Sequence, residues 1–493
     1  MTNLSPQIAR QPYAGVLREV GRAAADAGIE AYAVGGVVRD LMLERDVTEL
    51  DFVSLGDGSG LRLAKAAARR LGGQSVHQYE NFGTAAIRIP LAGMPDDAMV
   101  LEFVGARKES YRSDSRKPIV EEGSLQDDQR RRDFTINAMG LRLDAERFGE
   151  VLDPFGGRAD LEAGILRTPL DPHVTFEDDP LRMIRAARFA TQLGFTLHAD
   201  TFQALCDKAG RVSLLSRERI TDELQKIMMA GMPSVGFRIL YEAGLLRHIL
   251  PELTDLAGVE AIDGLKHKDN FFHTLQVVDN LVAMTAGRPP TETLWLRWAA
   301  LLHDIGKTRS KRFTEGVGWS FHGHEDRGAR MVAGVFKKLK LPLDDRMRYV
   351  QKLVRLHHRP VSLVDEQVTD SAVRRLLFDA GEDIEDLMTL VRADITSKNP
   401  RRVQRYLDAF DRVDARLVEV EENDKLRNFQ PPVDGIEIMQ TLNLPPGKAI
   451  GLLKEAVREA ILEGVIPNEH DAAFDYLMQI KDAILEGAPA PRS

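Results

Sequence analysis

Apolar residues between Leu17 and Ala27 recur at helical spacing and stop at Gly28. Ala31 to Val34 is then an unbroken apolar run, long enough for a buried strand. Gly35-Gly36 interrupts it, and Val37 to Leu43 returns to helical spacing. Glu49-Leu-Asp51-Phe-Val alternates with period two, which predicts a strand. Glu49 and Asp51 then share one face, with Leu50 and Phe52 on the other. Leu61 to Leu71 predicts a helix closed by Gly72-Gly73. Gly83 to Ile89 and Met99 to Val104 read as strands. The joint Ala92-Gly-Met-Pro-Asp-Asp makes them a hairpin. Residues 108–132 are polar and highly charged and predict a mobile loop. The apolar residues after Asp133 predict a helix, capped by Asp133 or Thr135.

Beyond the turn Asp153-Pro-Phe-Gly-Gly157 the strand periodicity gives way to helices. Pro180 suits a first helical position behind Asp179. Helices are predicted over Arg217 to Met229 and, as a pair around Gly244, from Val235 to Leu250. Others start at His273, run from Leu294 to Leu302, and run from Arg402 to Lys425 before Pro431-Pro432. A last amphipathic one runs from Ile450 to Glu463. The 153–157 turn therefore ends a first domain that holds the strand-like runs and begins a helical region, in a chain that is mostly helical. A chain of 493 residues has room for two to four cores.

The strand, glycine turn and helix at 31–43 can hold an anion on backbone N–H groups and the helix dipole, where a Cβ would intrude. Glu49 and Asp51 on one face persist best around a cation, and Mg2+ suits oxygen ligands and phosphates. Each feature alone also fits a plain turn or a solvated acidic edge. Together they are equipment for nucleotidyl transfer. Glu102 interrupts an apolar strand, so it either pairs with Arg88 or is a third carboxylate. Within Arg130-Arg-Arg-Asp133, Arg132 could neutralise a triphosphate and Asn137 bind a ribose hydroxyl; three arginines are also a common solvated patch. Asp179 with Arg182, and Arg185 on the same helix face, can read a nucleobase edge, or merely cap and form ion pairs.

A net charge of −9 gives no global positive field for nucleic acid, so RNA contacts need local basic patches. Cys206 is the single cysteine, which excludes intramolecular disulfides and cysteine-rich zinc sites and fits a reducing cytosol. No apolar run reaches the ~18 residues of a membrane span. The start lacks a signal pattern, so a cytoplasmic enzyme is expected. Six of the 12 histidines lie between His273 and His358. With Asp304 and Asp394 they can assemble a divalent metal site, against the alternative of satisfied core histidines.

Gly35-Gly36 with Arg39-Asp40, the acidic pair ending in Asp51, Arg131-Arg132-Asp133-Phe-Thr, Asp153-Pro-Phe-Gly-Gly157 and Asp178-Asp179-Pro-Leu-Arg182 occur in order. On these residues the chain resembles the class II tRNA nucleotidyltransferase (CCA-adding enzyme) and poly(A) polymerase family, in a version with an HD domain. The resemblance runs from about Tyr32 to Tyr476. It implies an α+β fold: a small mixed-sheet nucleotidyltransferase head at 1–155, followed by a mostly α-helical RNA-binding neck at 156–262, an HD phosphohydrolase-like domain at 263–405 and a helical tail at 406–493. It further implies that Gly35, Gly36 and Arg39 cradle the triphosphate, and that Glu49 and Asp51 hold Mg2+. Arg132, Asp133 and Asn137 would order the nucleotide. Asp179 and Arg182 would read the base of CTP or ATP. The family usually has Asp where this chain has Glu49, one methylene longer, and Glu where it has Asp178. Glu102 falls where the family tends to carry an acidic residue, which favours the third-carboxylate role.

His273, His303, Asp304 and Asp394 match the four core positions of an HD site with a divalent metal, and His324 and His357 could extend it toward a second. The implied partners are the tRNA 3′ end and acceptor stem, with Arg217, Arg219 and Lys448 as RNA-contact candidates. The implied reaction is template-independent addition of CCA, or part of it. Addition of only A or only C, poly(A) synthesis, and an HD phosphohydrolase with an RNA-binding head are the rivals. The sequence sets no oligomeric state.

Overall fold

A computed structural model describes residues 2–79, 83–92, 94, 97–110, 119–262, 265–266, 268–364, 369–397, 399–424 and 432–487. The chain separates into two compact units, Met1–Ile227 with Val235–Ile249, and Met228–Ser234 with Leu250–Ser493.

The first unit is built on a mixed sheet. Its strands are β1 (Ala31–Val34), β2 (Glu49–Ser54), β3 (Val76–Tyr79), β4 (Thr84–Pro90) and β5 (Ala98–Gly105), followed by β6 (Arg107–Ser110), β7 (Ile119–Glu122), β8 (Gly140–Arg142) and β9 (Val151–Leu152). Seven of them form one sheet in the order β3-β4-β5-β2-β1-β8-β9, with β2 and β5 parallel. The alternation read from β2 holds over its first four residues: Leu50 and Phe52 are buried, Glu49 is exposed and Asp51 half-buried, while Val53, next on the acidic side, is buried with Tyr32 and Val34. Phe52 stacks on Phe103 of β5 with ring centroids 5.0 Å apart, which locks the two acidic strands side by side. Helices Ala14–Asp26 and Ser59–Arg70 cover the apolar face. The predicted hairpin is β4 against β5, although residues 93, 95 and 96 of its joint lie outside the described residues.

Three expectations fail here. β3 was not predicted, because Val76-His-Gln-Tyr79 is a largely exposed edge strand without an apolar face. The stretch 108–132 is not simply a loop. β6 and β7 pair antiparallel, and Leu125–Arg130 is a helix closed by a capping box between Ser124 and Asp127. Residues 111–118 lie outside the described residues. After Asp133 there is only a 3-10 turn, Thr135–Asn137. Neither proposed cap forms one: Thr135 Oγ1 donates to Asp160 at 2.7 Å, and Asp133 is taken up by Arg185 and Asn137.

The 153–157 turn is a cap as well as a bend, since Asp153 accepts from the N–H groups of Gly157 and Arg158. Helices Pro172–Asp178, Leu181–Leu193 and Arg217–Met228 follow.

The second unit is helical. Asn270–Met284, Pro290–Leu302, His324–Leu339, Asp345–Leu356 and Ile384–Ala393 surround a buried core that includes Trp298, Phe271 and Phe336. Pro400–Asp424 is its longest helix, and Lys448–Leu462 and His470–Leu485 end the described chain. Pro431 of the predicted break lies outside the described residues. Among the described residues no helix is long and apolar enough to cross a membrane.

Candidate functional site

In the first unit the register places the acidic residues together. Asp51 pairs with Val34, the residue before Gly35, across β1 and β2. It also stands opposite Glu102 in the parallel β2–β5 ladder, with Glu49 two residues away on the same face. Glu102 lies opposite Ala86, not Arg88, which pairs in register with Val100. Gly35 has φ of +77°, where L side chains are strained. A Cβ there would lie 2.9 Å from Arg132 Nη1 and 3.4 Å from Asp51 Oδ2. The glycine turn, a guanidinium and the carboxylates therefore meet at one point. Burial, then the Glu49 charge, push Asp51 up to about 6, with Arg132 pulling the other way. Glu102 is raised by burial and by Glu49. The three carboxylates share one face of β2 and β5 and offer the oxygen donors a hard divalent cation takes, although among the described residues their side chains are not gathered at metal-binding spacing.

The candidate nucleotide residues form one connected network. Arg39 makes a bidentate pair with Asp40 and donates to Asn137 Oδ1 at 2.7 Å. Asn137 donates to Asp133 Oδ1 at 3.0 Å, and Asp133 Oδ2 accepts from Arg185 at 2.8 Å. Burial alone would raise Asp133, but Arg185 and the Asn137 amide hold it down at about 2. Arg132 is held by Asp128, a wholly buried carboxylate shared with Arg131.

Asp179, Arg182 and Arg185 line a cleft of about 320 Å³ with Arg131 and Arg132. Asp179 Oδ1 accepts from the Leu181 N–H, so it does cap the helix. Its Oδ2 accepts from Arg219 at 3.2 Å. Arg219 thus lies at this cleft, where sequence had grouped it with an RNA surface. Arg182 donates to the carbonyls of Thr175 and Arg131. Asp128, Arg219 and Phe189 were missed as site residues. Phe189 lies under the guanidiniums of Arg39, Arg185 and Arg188. Asp128 left one trace, its spacing of four from Arg132.

The second unit brings His273, His303, Asp304 and Asp394 together. His273 Nε2 is 2.8 Å and His303 Nε2 3.7 Å from Asp394 Oδ1, and His303 Nε2 is 3.3 Å from Asp304 Oδ2. His324 and His357 join on the other side, 3.5 and 3.9 Å from Asp304 Oδ1. Two triads have metal-binding spacing: His273, His303 and Asp394, and His303, Asp304 and His357. Nδ1 of His303, His324 and His357 each faces a carbonyl three residues back, at 2.7 to 2.9 Å. That arrangement fixes the tautomer and leaves Nε2 lone pairs pointing inward. His303 Nε2 and Asp304 Oδ1 are buried without a hydrogen bond. These orphaned donor atoms fit one or two divalent metals. Gly306 is required because a Cβ would lie 2.0 Å from the His324 carbonyl. His322 is exposed and outside the group.

Residues 31–167 match the family described as the poly A polymerase head domain, 194–256 the probable RNA and SrmB- binding site of polymerase A, and 270–416 the HD domain. An A-adding tRNA nucleotidyltransferase of Deinococcus radiodurans is 35% identical over 71% of this chain and 78% of its own. A CC-adding tRNA nucleotidyltransferase of Thermus thermophilus is 31% identical over 90% and 92%. A multifunctional CCA protein of Pseudomonas aeruginosa is 32% identical over 66% and 73%. The solved structure of a CCA-adding enzyme without ligand is similar in fold, with a TM-score of 0.64 at 20% identity over 97% of each chain.

Proposed function

The chain belongs to the tRNA nucleotidyltransferase and poly(A) polymerase family with an HD domain, and on that premise we propose that it adds CCA, or part of it, to tRNA 3′ ends from CTP and ATP. The observation that carries this is the meeting of Asp51, Arg132 and the Gly35 turn at one point.

Glu49, Asp51 and Glu102 would hold Mg2+, which when bound supplies charge neutralisation and a lowered hydroxyl pKa. The chain's own residues do the rest. Gly35 and Gly36 let the triphosphate approach the backbone, and Arg39 and Arg132 neutralise it. Asn137 fixes the Arg39 guanidinium and Asp128 that of Arg132, while Asp133 holds Arg185 and orients the Asn137 amide toward the ribose. Asp179, Arg182 and Arg185 present an acceptor and donors to the base edge, so protein side chains replace a template. Catalysis rests on positioning and charge complementarity, as in other phosphoryl transfers. The RNA-contact region falls in the neck, residues 156–262, between a head at 1–155 and an HD domain at 263–405, with a tail at 406–493. Arg217 and Lys448 remain candidates for tRNA contact, and the cytoplasm is the compartment this role assigns.

A second reading is favoured by the inward-facing imidazoles. The HD cluster would hold a divalent metal and hydrolyse a phosphoester. The rival in which the head only binds RNA leaves the convergence at Gly35 without a use.

The test supplies tRNA transcripts ending before the first C, after CC, or complete, with labelled CTP or ATP. The expected result is addition up to CCA, then a stop. An unlimited A tail would indicate poly(A) synthesis. Addition of C alone or A alone would make it a partial enzyme. Trimming without any addition would overturn the reading.

A further inference from the structure

Uncompensated positive charge crowds the start of the Pro400–Asp424 helix. Arg401, Arg402 and Arg405 are exposed, and among the described residues none of them has a carboxylate partner. Farther along the same helix, Asp411 and Asp414 neutralise Arg392, and Arg416 pairs with Asp370. Like charges within two turns repel one another. A chain of net charge −9 has acidic groups enough to neutralise them, yet does not. Tyr406 lies among them, with the guanidiniums of Arg402 and Arg405 each 5.8 Å from its ring centroid.

A cleft of about 460 Å³ adjoins this face. Its wall includes Arg402 and Tyr406 together with Lys268, Thr396, Ser397 and Asp394. The aromatic and basic groups therefore share a cleft with one of the proposed metal ligands. Its volume lies in the range of small-ligand sites. Arg401 and Arg405 are not in the wall; they continue the positive charge along the helix outside the cleft. A free mononucleotide would leave both unused. A strand with successive phosphates would use them, and an aromatic face beside a positive track is how single-stranded RNA is held.

We propose that this face seats the 3′ end of a single RNA strand. The terminal base lies on Tyr406, and the backbone phosphates follow Arg402, Arg405 and Arg401. The last phosphate group sits at the cleft wall that carries Lys268 and Asp394. The proposal rests on reading His273, His303, Asp304 and Asp394 as metal ligands, and it names the substrate class of that centre.

The test uses the full chain carrying Asp51→Ala, so that no nucleotide is added. The probe is a ten-nucleotide RNA with 5-iodouridine at its last position and a 3′-phosphate. After irradiation, the crosslinked peptide is identified by mass spectrometry. A crosslink within residues 400–410 is expected. Its yield should fall about tenfold in Tyr406→Ala and persist in Tyr406→Phe. Arg402→Gln with Arg405→Gln should move the half-saturating RNA concentration up about tenfold. Crosslinks confined to other segments would overturn the proposal. So would uridine 3′-monophosphate displacing the probe as well as unlabelled RNA does, which would make this a mononucleotide site. Metal content is measured on the same preparations, so failure of the ligand assignment shows separately.

Discussion

His324 Nε2 lies 3.3 Å from His357 Nε2, and each ring directs its Nδ1 at a carbonyl three residues back. Two lone pairs that close repel unless a proton or a cation lies between them. The proton is disfavoured: burial, then the charge of His303, push His357 down to about 3. A cation is the remaining solution, and Asp304 Oδ1 lies on the same side.

That relationship has a thermodynamic consequence. A divalent cation such as Mn2+ that binds only the folded chain stabilises it by about 2.7 kcal/mol at a hundredfold excess over Kd. Thermal denaturation with and without a chelator is expected to show this stabilisation in the wild type. Most of it should vanish in Asp304→Asn. An equal shift in both proteins would place the metal elsewhere.

The sign of the pH dependence follows from His357. Its folded pKa is below the unfolded value near 6.5, so the unfolded chain binds a proton the folded chain does not. Stability from this group is full above pH 6.5 and falls as pH drops toward about 3. The slope is up to about 1.4 kcal/mol per pH unit. In the presence of chelator, His357→Gln should reduce the slope in that window by about one proton's worth. Urea titrations at pH 4, 5, 6 and 7 measure it.

Asp51 gives the opposite sign. Its folded pKa, about 6, is above the unfolded value, so its contribution is intact below the unfolded pKa and is lost as pH rises through about 6. Without Mg2+, Asp51→Asn should therefore stabilise the chain at pH 8, by no more than about 3 kcal/mol, and change little at pH 3.5. With Mg2+ the wild type should regain the difference. Destabilisation of the metal-free variant at pH 8 would mean that burial and the neighbouring carboxylates do not raise Asp51.

How much of this was legible depended on the distance over which residues interact. Glu49 and Asp51 could be placed on one face because strand alternation is local, and the register then brought Glu102 beside them. The histidine centre could be anticipated because its members crowd one segment of the chain. Asp128 left only its spacing of four from Arg132; its full burial, and Arg219 closing on Asp179 from 40 residues away, depend on tertiary packing. β3 was invisible because a mostly exposed edge strand needs only backbone pairing, which leaves no apolar signature.

Asp128 carries a prediction of its own. It is fully buried and accepts from both Arg131 and Arg132, whose charges hold it below the usual carboxylate range despite its burial. Asp128→Ala leaves two guanidiniums without that partner; because both are partly exposed, the cost should fall below the ~3–5 kcal/mol of a fully buried broken pair. The larger effect should be on the nucleotide. Arg132 loses its anchor, so the KM for CTP or ATP should rise about tenfold or more, while the preference between them, set at Asp179 and Arg182, stays. Steady-state incorporation at varied CTP and ATP checks this. A change in base preference with KM unaltered would show that Arg132 is not the triphosphate group.

The last prediction separates the two centres. Asp51 and His303 lie in different compact units, and nothing in the reaction proposed for one needs the donors of the other. Asp51→Ala removes the carboxylate nearest the Gly35 turn, so labelled CTP and ATP should no longer enter tRNA. A loss of a thousandfold or more is expected if positioning and charge compensation carry the reaction. His303→Ala removes one ligand of both metal triads, so metal retained by the HD cluster after dialysis should drop, while incorporation stays within about threefold of wild type. Metal content and incorporation are measured on the same two variants. If His303→Ala abolishes incorporation while the protein remains folded by circular dichroism, the two centres have been assigned the wrong way round.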